Sequence, residues 1–378
     1  YTGKMVIASG MGSAMGDSKY NTISSFSSWG VPGSLELKPE IAAPGGSIYS
    51  VNGAVAGGQA YELMSGTSMA SPQVAGMAAL VAQYINENKL AEKTGLTVRA
   101  LSQSLLMSTA IPMVEEESGT YYPVMRQGSG LANVGKAISA QSYITMADGS
   151  NAGAADGKVK AELKDDPERK GVYTINFALH NLNGKEQKYL LNADLFTQNL
   201  FEHEGNVYMD TWTTGLAATA VWTVNGQVVE NAEDLSQYDV NEDGICNGDD
   251  VSAILDYVSG KLDKIQNADV NGDGEVTSAD AYALLTKLNA GAVVLGENET
   301  AQISVTLTLT DAQKEALNQN YKNGAYIEGY LFVSGMTTAE GEEGTVHSIP
   351  VLGFYGNWSD SSMYDVGTAV TYATGDET

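Results

Sequence analysis

Apolar residues follow a helical pattern in the first part of this 378-residue chain. Residues 75–84 are almost all small and apolar, which predicts a helix buried nearly all round, with Ser68 at or just before its N-terminus. Pro72 suits the first turn of that helix, where a missing N–H costs little. A second, amphipathic helix is predicted over 97–108, because four apolar residues there recur at helical spacing. They are Val98, Leu101, Leu105 and Leu106.

The segments before the first helix contain short apolar runs that stop at Gly or Pro. Residues 23–30 end in Trp29-Gly30, and residues 37–46 contain Pro39, Pro44 and two glycines. This pattern predicts short strands joined by tight turns.

Beyond a Gly- and Ala-rich linker at 148–157, the pattern changes to alternation with period two. Half-buried strands are predicted by alternating apolar residues, and 349–354 forms a further apolar strand. The sequence therefore predicts a β-sandwich formed by residues 158–232 and 291–358. Thr310 and Gln313 form a capping-box pattern that opens one short helix. The alternating residues are Tyr173, Ile175, Phe177, Leu179, Ile303, Val305, Leu307, Leu309, Leu331 and Val333.

An acidic twelve-residue loop occurs twice between the two halves of the sandwich, thirty residues apart. Each copy has oxygen-bearing side chains at loop positions 1, 3, 5, 9 and 12 and Gly at position 6, the donor pattern that Ca²⁺ requires. One such loop could be a solvated turn, but two copies in register predict two calcium ions. The predicted ligands are Asp239, Asn241, Asp243, Asn247 and Asp250 in the first loop and Asp269, Asn271, Asp273, Thr277 and Asp280 in the second.

A helix is predicted after each loop, over 251–262 and 281–288. Position 8 is Cys246 in the first loop and Val276 in the second, and we expect both to pack between the loops. Cys246 is then a small core residue rather than a reactive thiol.

The charge balance restricts the partners of the chain. With 46 acidic and 20 basic residues its formal net charge is −26, which argues against nucleic acid and agrees with a secreted or calcium-binding protein. No apolar run is long enough to span a membrane. One cysteine cannot form an internal disulfide. Because Tyr1 is not a Met and no signal peptide follows it, we expect a fragment or a processed product.

The candidate chemistry is concentrated in Gly66-Thr67-Ser68-Met69-Ala70-Ser71-Pro72. A serine before a helix is usually only an N-cap. The first-turn N–H groups, however, can also stabilise negative charge on a substrate oxygen. The whole heptad, followed by Val74-Ala75-Gly76, resembles the catalytic-serine signature of the subtilisin-like serine proteases, or subtilases.

The resemblance covers about residues 21–147. The amino-acid sequence of 26–30 and 38–46 is most similar to that of cell-envelope proteinases of Gram-positive bacteria (lactocepin type). The resemblance implies an extracellular or cell wall-associated endopeptidase acting on polypeptides. It also implies that residues 1–20 are the exit of an inserted protease-associated domain, that is, the stretch in which the chain leaves that domain. Ser68 is then the nucleophile, while the Asp, His and oxyanion-hole Asn lie upstream, and the chain alone is inactive. No His precedes Ser68, and we expect His180, His203 and His347 to be surface or strand residues.

The later segments resemble two further modules. The sandwich is similar to the fibronectin type III-like domain that follows the protease in such proteinases, and residues 359–378 begin another segment. The repeat at 233–290 resembles a dockerin type I module, which implies a cohesin partner. Loop positions 10 and 11 differ between the copies, and the module interrupts a sandwich, so it could instead be a calcium-dependent brace.

The predicted fold class is therefore multidomain: an α/β subtilisin-like half-domain, then a β-sandwich interrupted by a small α calcium-binding module. One functional alternative stays open. The chain could be a calcium-dependent binding or scaffold module without catalytic activity, in which no base activates the hydroxyl of Ser68.

Overall fold

The structure is a computed structural model. It describes residues 22–30, 34–52, 61–115, 118–147, 156–229, 235–242, 246, 248–336 and 344–360. Residues 1–20, most of the linker predicted at 148–157 and nearly all of the segment predicted at 359–378 lie outside these ranges, as do the predicted calcium ligands Asp243 and Asn247.

Five helices follow one another in the first part of the described chain: α1 (Thr67–Glu87), α2 (Leu90–Thr94), α3 (Val98–Ser108), α4 (Val124–Gln127) and α5 (Val134–Ser139). The start of α1 next to Ser68 and the helix at 98–108 confirm the prediction. Thr97 caps α3 by accepting a hydrogen bond from the N–H of Ala100, and Asn133 caps α5 in the same way through the N–H of Lys136.

The prediction that α1 is buried nearly all round is wrong for the described residues. Val81 and Ile85 are fully buried against α3 and α5, but Leu80 is 53% exposed. Ser68, Ser71, Ala75 and Ala79 are exposed along the same side. The composition of α1 suits burial on both sides, and only one side packs against the described part of the chain.

The strands predicted in 23–30 and 37–46 are also absent there. Residues 40–42 instead bond to the loop at 129–132, with one bridge between Ala42 and Leu131. The strands lie just beyond, where β1 (Ile48–Val51) pairs antiparallel with β2 (Tyr61–Met64).

Eleven further strands form two sheets in the described ranges. One sheet has the order β10-β6-β12-β13-β4, with β7 also paired to β6, and the other has the order β3-β5-β11-β8-β9. The strands are β3 (Ser142–Met146), β4 (Ala161–Asp166), β5 (Val172–Asn181), β6 (Gln187–His203), β7 (Asn206–Gly215), β8 (Ala218–Val224), β9 (Gln227–Val228), β10 (Val293–Leu295), β11 (Thr300–Leu309), β12 (Ala325–Gly335) and β13 (Val346–Tyr355).

One buried cluster contains side chains from both sheets. The alternating residues of β5 and β11 point into it, as predicted from period two. Strands β12 and β13 are buried on both faces, because their outer face packs against the segment around α4. Strand β3 pairs with β5, although we assigned its residues to the 21–147 segment, so this strand belongs structurally to the sheets.

Two helices lie between β9 and β10: α6 (Gly248–Val258) and α7 (Ser278–Ala290). They confirm a helix after each acidic loop. A short 3₁₀ turn, Ser236–Tyr238, precedes the first loop. The last helix, α8 (Asp311–Asn320), is capped by Thr310, whose hydroxyl accepts a hydrogen bond from the N–H of Gln313, as the capping-box pattern predicted. None of the helices in the described ranges has the length and hydropathy needed to span a bilayer.

Candidate functional site

Ser68 is the second residue of α1 and is exposed. Its Oγ donates a hydrogen bond to the Sδ of Met69 at 3.4 Å. Gly66 precedes the helix, and a Cβ at Gly66 would lie 3.2 Å from the Ser68 Oγ. The absence of a side chain there leaves this hydroxyl accessible beside the free N–H groups of a helix start.

The loop at 44–47 is fastened to the start of α1. The N–H of Gly66 donates to the carbonyl of Gly45 at 2.8 Å, and Nε2 of Gln73 donates to the carbonyl of Pro44 at 2.8 Å. A Cβ at Gly45 would lie 2.8 Å from the carbonyl oxygen of Gly66. Gln73 is not among the site residues predicted from the sequence. Its position in the same helix, five residues after Ser68, is the local feature that places its side chain near this site.

The three histidines have partners other than Ser68. His347 in β13 is fully buried, with its two ring nitrogens 2.7 Å from Ser142 Oγ and 2.9 Å from Ser108 Oγ. His180 in β5 is bonded on both nitrogens to threonine hydroxyls. Burial lowers the pKa of His347 to about 3 and that of His180 to about 4, so both are neutral at pH 7. His203 is exposed at the end of β6.

The second acidic loop is held by its own side chains. Asp269 accepts hydrogen bonds from the N–H groups of Gly272 at 2.8 Å and Gly274 at 2.9 Å. Asp280 is fully buried and accepts bonds from Val270 at 2.9 Å and Thr277 at 2.8 Å. The pKa of Asp280 is lowered: burial opposes the shift, and four hydrogen bonds to the carboxylate outweigh it.

The first loop repeats the part of this arrangement that the structure describes. The fully buried Asp250 accepts hydrogen bonds from Val240 at 2.8 Å and from Asn241 at 3.2 Å, matching Asp280 with Val270 and Asn271. Across the described ranges, no three His, Cys, Asp or Glu side chains converge closely enough to hold a metal ion. In the second loop the carboxylates instead accept hydrogen bonds from the backbone of the loop.

The two loops and their helices share one buried cluster, which includes Val240, Val270, Ile254 and Leu284. Cys246 and Val276 both pack against it, in agreement with their equivalent loop positions. Leu190 of β6 and Met336, the residue after β12, also contact this cluster, so the module packs against one sheet where β6 begins and β12 ends.

Two stretches of the chain match known protein families. Residues 8–141 match the subtilase family, and residues 237–289 match the dockerin type I domain. The chain contains a subtilase segment and a dockerin domain. The subtilase match ends just before β3, and the dockerin match covers both loops together with α6 and most of α7.

Its relatives are large proteinases. A PII-type proteinase of Lacticaseibacillus paracasei is 25% identical over 359 residues, covering 93% of this chain and 14% of the relative. A C5a peptidase of Streptococcus pyogenes is 32% identical over 179 residues, covering 47% of this chain and 14% of the relative. This chain therefore spans 14% of the length of these relatives. A family 123 glycoside hydrolase from Clostridium perfringens superposes with a TM-score of 0.23 at 6% identity over 57% of this chain and 27% of that one, too weakly to indicate a shared fold.

Proposed function

We propose that this chain is part of a subtilisin-like serine endopeptidase in which Ser68 is the nucleophile. The observation that carries the proposal is the placement of Ser68 in the subtilase segment, exposed in the first turn of α1. The first-turn N–H groups lie beside the hydroxyl, where they can stabilise an oxyanion.

In the proposed reaction, the Oγ of Ser68 attacks the carbonyl carbon of a peptide bond while a base takes the hydroxyl proton. The tetrahedral oxyanion is stabilised by hydrogen bonds that include the backbone N–H of Ser68. The amine then leaves with the proton, and water hydrolyses the acyl-enzyme to release the acid and restore Ser68.

This mechanism needs a histidine that the chain itself does not supply. The ring nitrogens of His180 and His347 are bonded to threonine and serine hydroxyls, and His203 lies at the exposed end of β6. We propose that the base, its orienting Asp and the oxyanion-hole Asn come from another part of a longer protein, and we expect the chain alone to be inactive.

Labelling with a fluorophosphonate probe tests this assignment. The longer protein that includes this chain should label at Ser68, and Ser68→Ala should abolish the label. Ser71→Ala is the matched control, because Ser71 is exposed on the same helix one turn later. Retained labelling in Ser68→Ala would assign the nucleophile elsewhere. If neither the chain nor the longer protein labels, the peptidase proposal fails and calcium-dependent binding becomes the leading function.

We further propose that the dockerin domain binds two calcium ions, one in each acidic loop. The second loop presents only oxygen donors, which suits a hard cation. Asp269, Asn271, Asp273, Thr277 and Asp280 would hold one ion, and Asp239, Asn241, Asp243, Asn247 and Asp250 the other. Bound calcium would neutralise the clustered carboxylates and fix the loops against α6 and α7.

Isothermal titration with CaCl₂ tests the two-site proposal. We expect a stoichiometry of two ions for the native chain and one for Asp280→Ala. Glu275→Ala provides the control, because its exposed side chain is not a predicted ligand. Stoichiometry unchanged in Asp280→Ala would refute this ligand set.

The two sheets form, in this proposal, a fibronectin type III-like sandwich that the dockerin interrupts and that buttresses the subtilase segment. An extracellular or cell wall-associated location follows from the resemblance to cell-envelope proteinases, and polypeptides would be the substrates.

A second role for the dockerin is favoured by a specific contact. Leu190 of β6 and Met336, just after β12, pack against its buried cluster, which supports a calcium-dependent brace of the sandwich. The alternative is docking to a cohesin. Calcium-dependent capture by a cohesin, lost in the double variant Asp250→Ala and Asp280→Ala, would favour docking. No capture, together with calcium-dependent protection of β10 from hydrogen exchange, would favour the brace.

A further inference from the structure

The outer face of β12 joins the sheets to the subtilase segment. Ile327, Leu331 and Val333 point into the cluster between the sheets, whereas Tyr330 and Phe332 point the other way. The outward side chains contact Leu37, Val124 and Met125, and Glu328 lies among them.

Glu328 has a carboxyl group that meets no counter-charge among the described residues. It is fully buried, and its Oε2 accepts a hydrogen bond from the N–H of Met125 at 3.1 Å. Its Oε1 is buried and has no hydrogen-bond partner, and among the described residues no cation lies within 4.0 Å. A buried negative charge with an unpaired oxygen is costly, and protonation removes most of that cost.

A second buried carboxyl group, that of Glu162, lies in the same row of cross-strand neighbours and is paired with a lysine. Glu328 is opposite Leu352, which is opposite Glu162. Lys160 is 2.7 Å from Glu162, and the N–H of Leu37 donates to Glu162 at 3.0 Å. Of these two acids at the interface, only Glu328 lacks a cation.

The other ionisable groups around Glu328 do not compensate its charge. Tyr326 and Tyr330 flank it on β12, and burial raises the pKa of Tyr326 to about 12 and that of Tyr330 well above 10, so both are neutral. Tyr121 packs on the same face and its hydroxyl faces Asp194 of β6, 3.4 Å away. From α4, Arg126 is directed to the ring of Trp29 and the carbonyl of Ser24.

A series of hydrogen bonds, made by backbone and side-chain groups, connects this interface with the start of α1, where Ser68 lies. Val124 accepts a hydrogen bond from Gly128, whose own carbonyl accepts one from the Tyr330 hydroxyl at 2.7 Å. The following residues, 129–132, bond to 40–42. The next loop, 44–45, bonds to Gly66 and Gln73 at the start of α1.

We propose that Glu328 is a proton-dependent latch and a positioning residue for Ser68. In its protonated form it keeps the segment 124–130 seated on β12, and its ionisation weakens this contact and loosens the loops that hold the start of α1. The latch itself needs no catalysis, and only its consequence for the reactivity of Ser68 rests on the proposed function.

The direction of the pH effect follows from the burial of the carboxyl group. Burial raises the pKa of Glu328 from 4.5 to about 7. A raised pKa in the folded state stabilises the docked interface at low pH, and this stabilisation is lost as the pH rises through about 7. If the open state restores the ordinary pKa, the opening equilibrium increases roughly ten-fold between pH 6 and pH 8.

Hydrogen exchange measured by mass spectrometry on the calcium-loaded chain tests the latch. After correction for intrinsic exchange, peptides covering 122–131 and 62–73 should lose protection roughly ten-fold from pH 6 to pH 8. Glu328→Gln should abolish this pH dependence. Tyr330→Phe removes a non-titrating contact at the same interface and should lower protection while keeping the pH dependence.

Each outcome decides a part of the proposal. Protection at 122–131 that is independent of pH in the native chain, or a pH dependence that persists in Glu328→Gln, overturns the latch. A response at 122–131 without one at 62–73 overturns the positioning of Ser68. If Glu328→Gln does not fold, the native chain and Tyr330→Phe still provide the first test. Because exchange requires no activity, failure of the latch is distinguishable from failure of the peptidase proposal.

Discussion

The buried imidazole of His347 should make the stability of the two-sheet unit depend on pH. Both ring nitrogens are bonded to serine hydroxyls, Ser142 on β3 and Ser108 on α3, and burial lowers the pKa to about 3. The unfolded chain has the ordinary value of 6.5. Below pH 6.5 the unfolded state therefore binds a proton that the folded state does not, and the free energy of unfolding falls as the pH falls.

The magnitude follows from the two pKa values. Each pH unit between them is worth about 1.4 kcal/mol, so His347 alone should remove about 2 kcal/mol of stability between pH 7 and pH 5. His347→Phe keeps a ring of similar size and removes the titration. The variant will be less stable at pH 7, because two buried hydroxyls lose their partner. Its stability should nevertheless depend less on pH.

Urea unfolding in saturating calcium, followed by the fluorescence of the buried Trp222, measures this difference. The native chain should lose about 2 kcal/mol more than His347→Phe between pH 7 and pH 5. Contributions from His180 and Glu328 are common to both proteins and cancel. Equal losses in the two proteins would refute the conclusion that His347 is held neutral by burial.

Two further predictions concern backbone geometry. Gly128 has φ 59°, and a Cβ there would lie 2.3 Å from the carbonyl oxygen of Pro39. In urea unfolding, Gly128→Ala should therefore lower the free energy of unfolding by more than ~1 kcal/mol, the value typical of a strained φ, and lower the midpoint accordingly. Gly76→Ala is the control, since a Cβ there has no neighbour within 4 Å and Ala favours a helix; a midpoint as low as that of Gly128→Ala would contradict the steric argument. Thr310→Ala should cost about 1 kcal/mol by removing the cap of α8, whereas Thr310→Ser should cost little; equal losses would show that the hydroxyl is not the stabilising group.

Local signals in the sequence predicted much of the architecture. The heptad at 66–72 predicted Ser68 at a helix start, and the capping-box pattern of Thr310 and Gln313 marks the start of a real helix, because a cap depends only on residues a few positions apart. The alternation of apolar residues predicted the two strands β5 and β11. In the structure these strands pair with each other. The acidic repeat predicted the helices α6 and α7 that follow its two loops, again from residues close together in the chain.

Other features depend on contacts between distant residues. The 17-residue β6 and its partner β7 have no simple alternation, because β6 passes from the sheet interior at Tyr189 to an exposed end at His203. Residues 40–42 were predicted to form part of a strand, but their backbone partners lie about ninety residues later, at 129–132, and form a single bridge. The pattern of a short segment does not identify which distant backbone will bond to it.

The sequence by itself determined the nucleophile candidate, the paired acidic loops and the two kinds of secondary structure, since each is written in neighbouring residues. Only the tertiary structure decided that His347 joins a helix to two strands and that Gln73 anchors a loop beside Ser68. It also decided that Glu328 is buried with no cation beside it in the described part of the chain. These properties depend on burial and on partners up to 239 residues apart. Burial changes the cost of a charge or an unpaired polar atom by several kcal/mol, which is why they could not be predicted from local pattern.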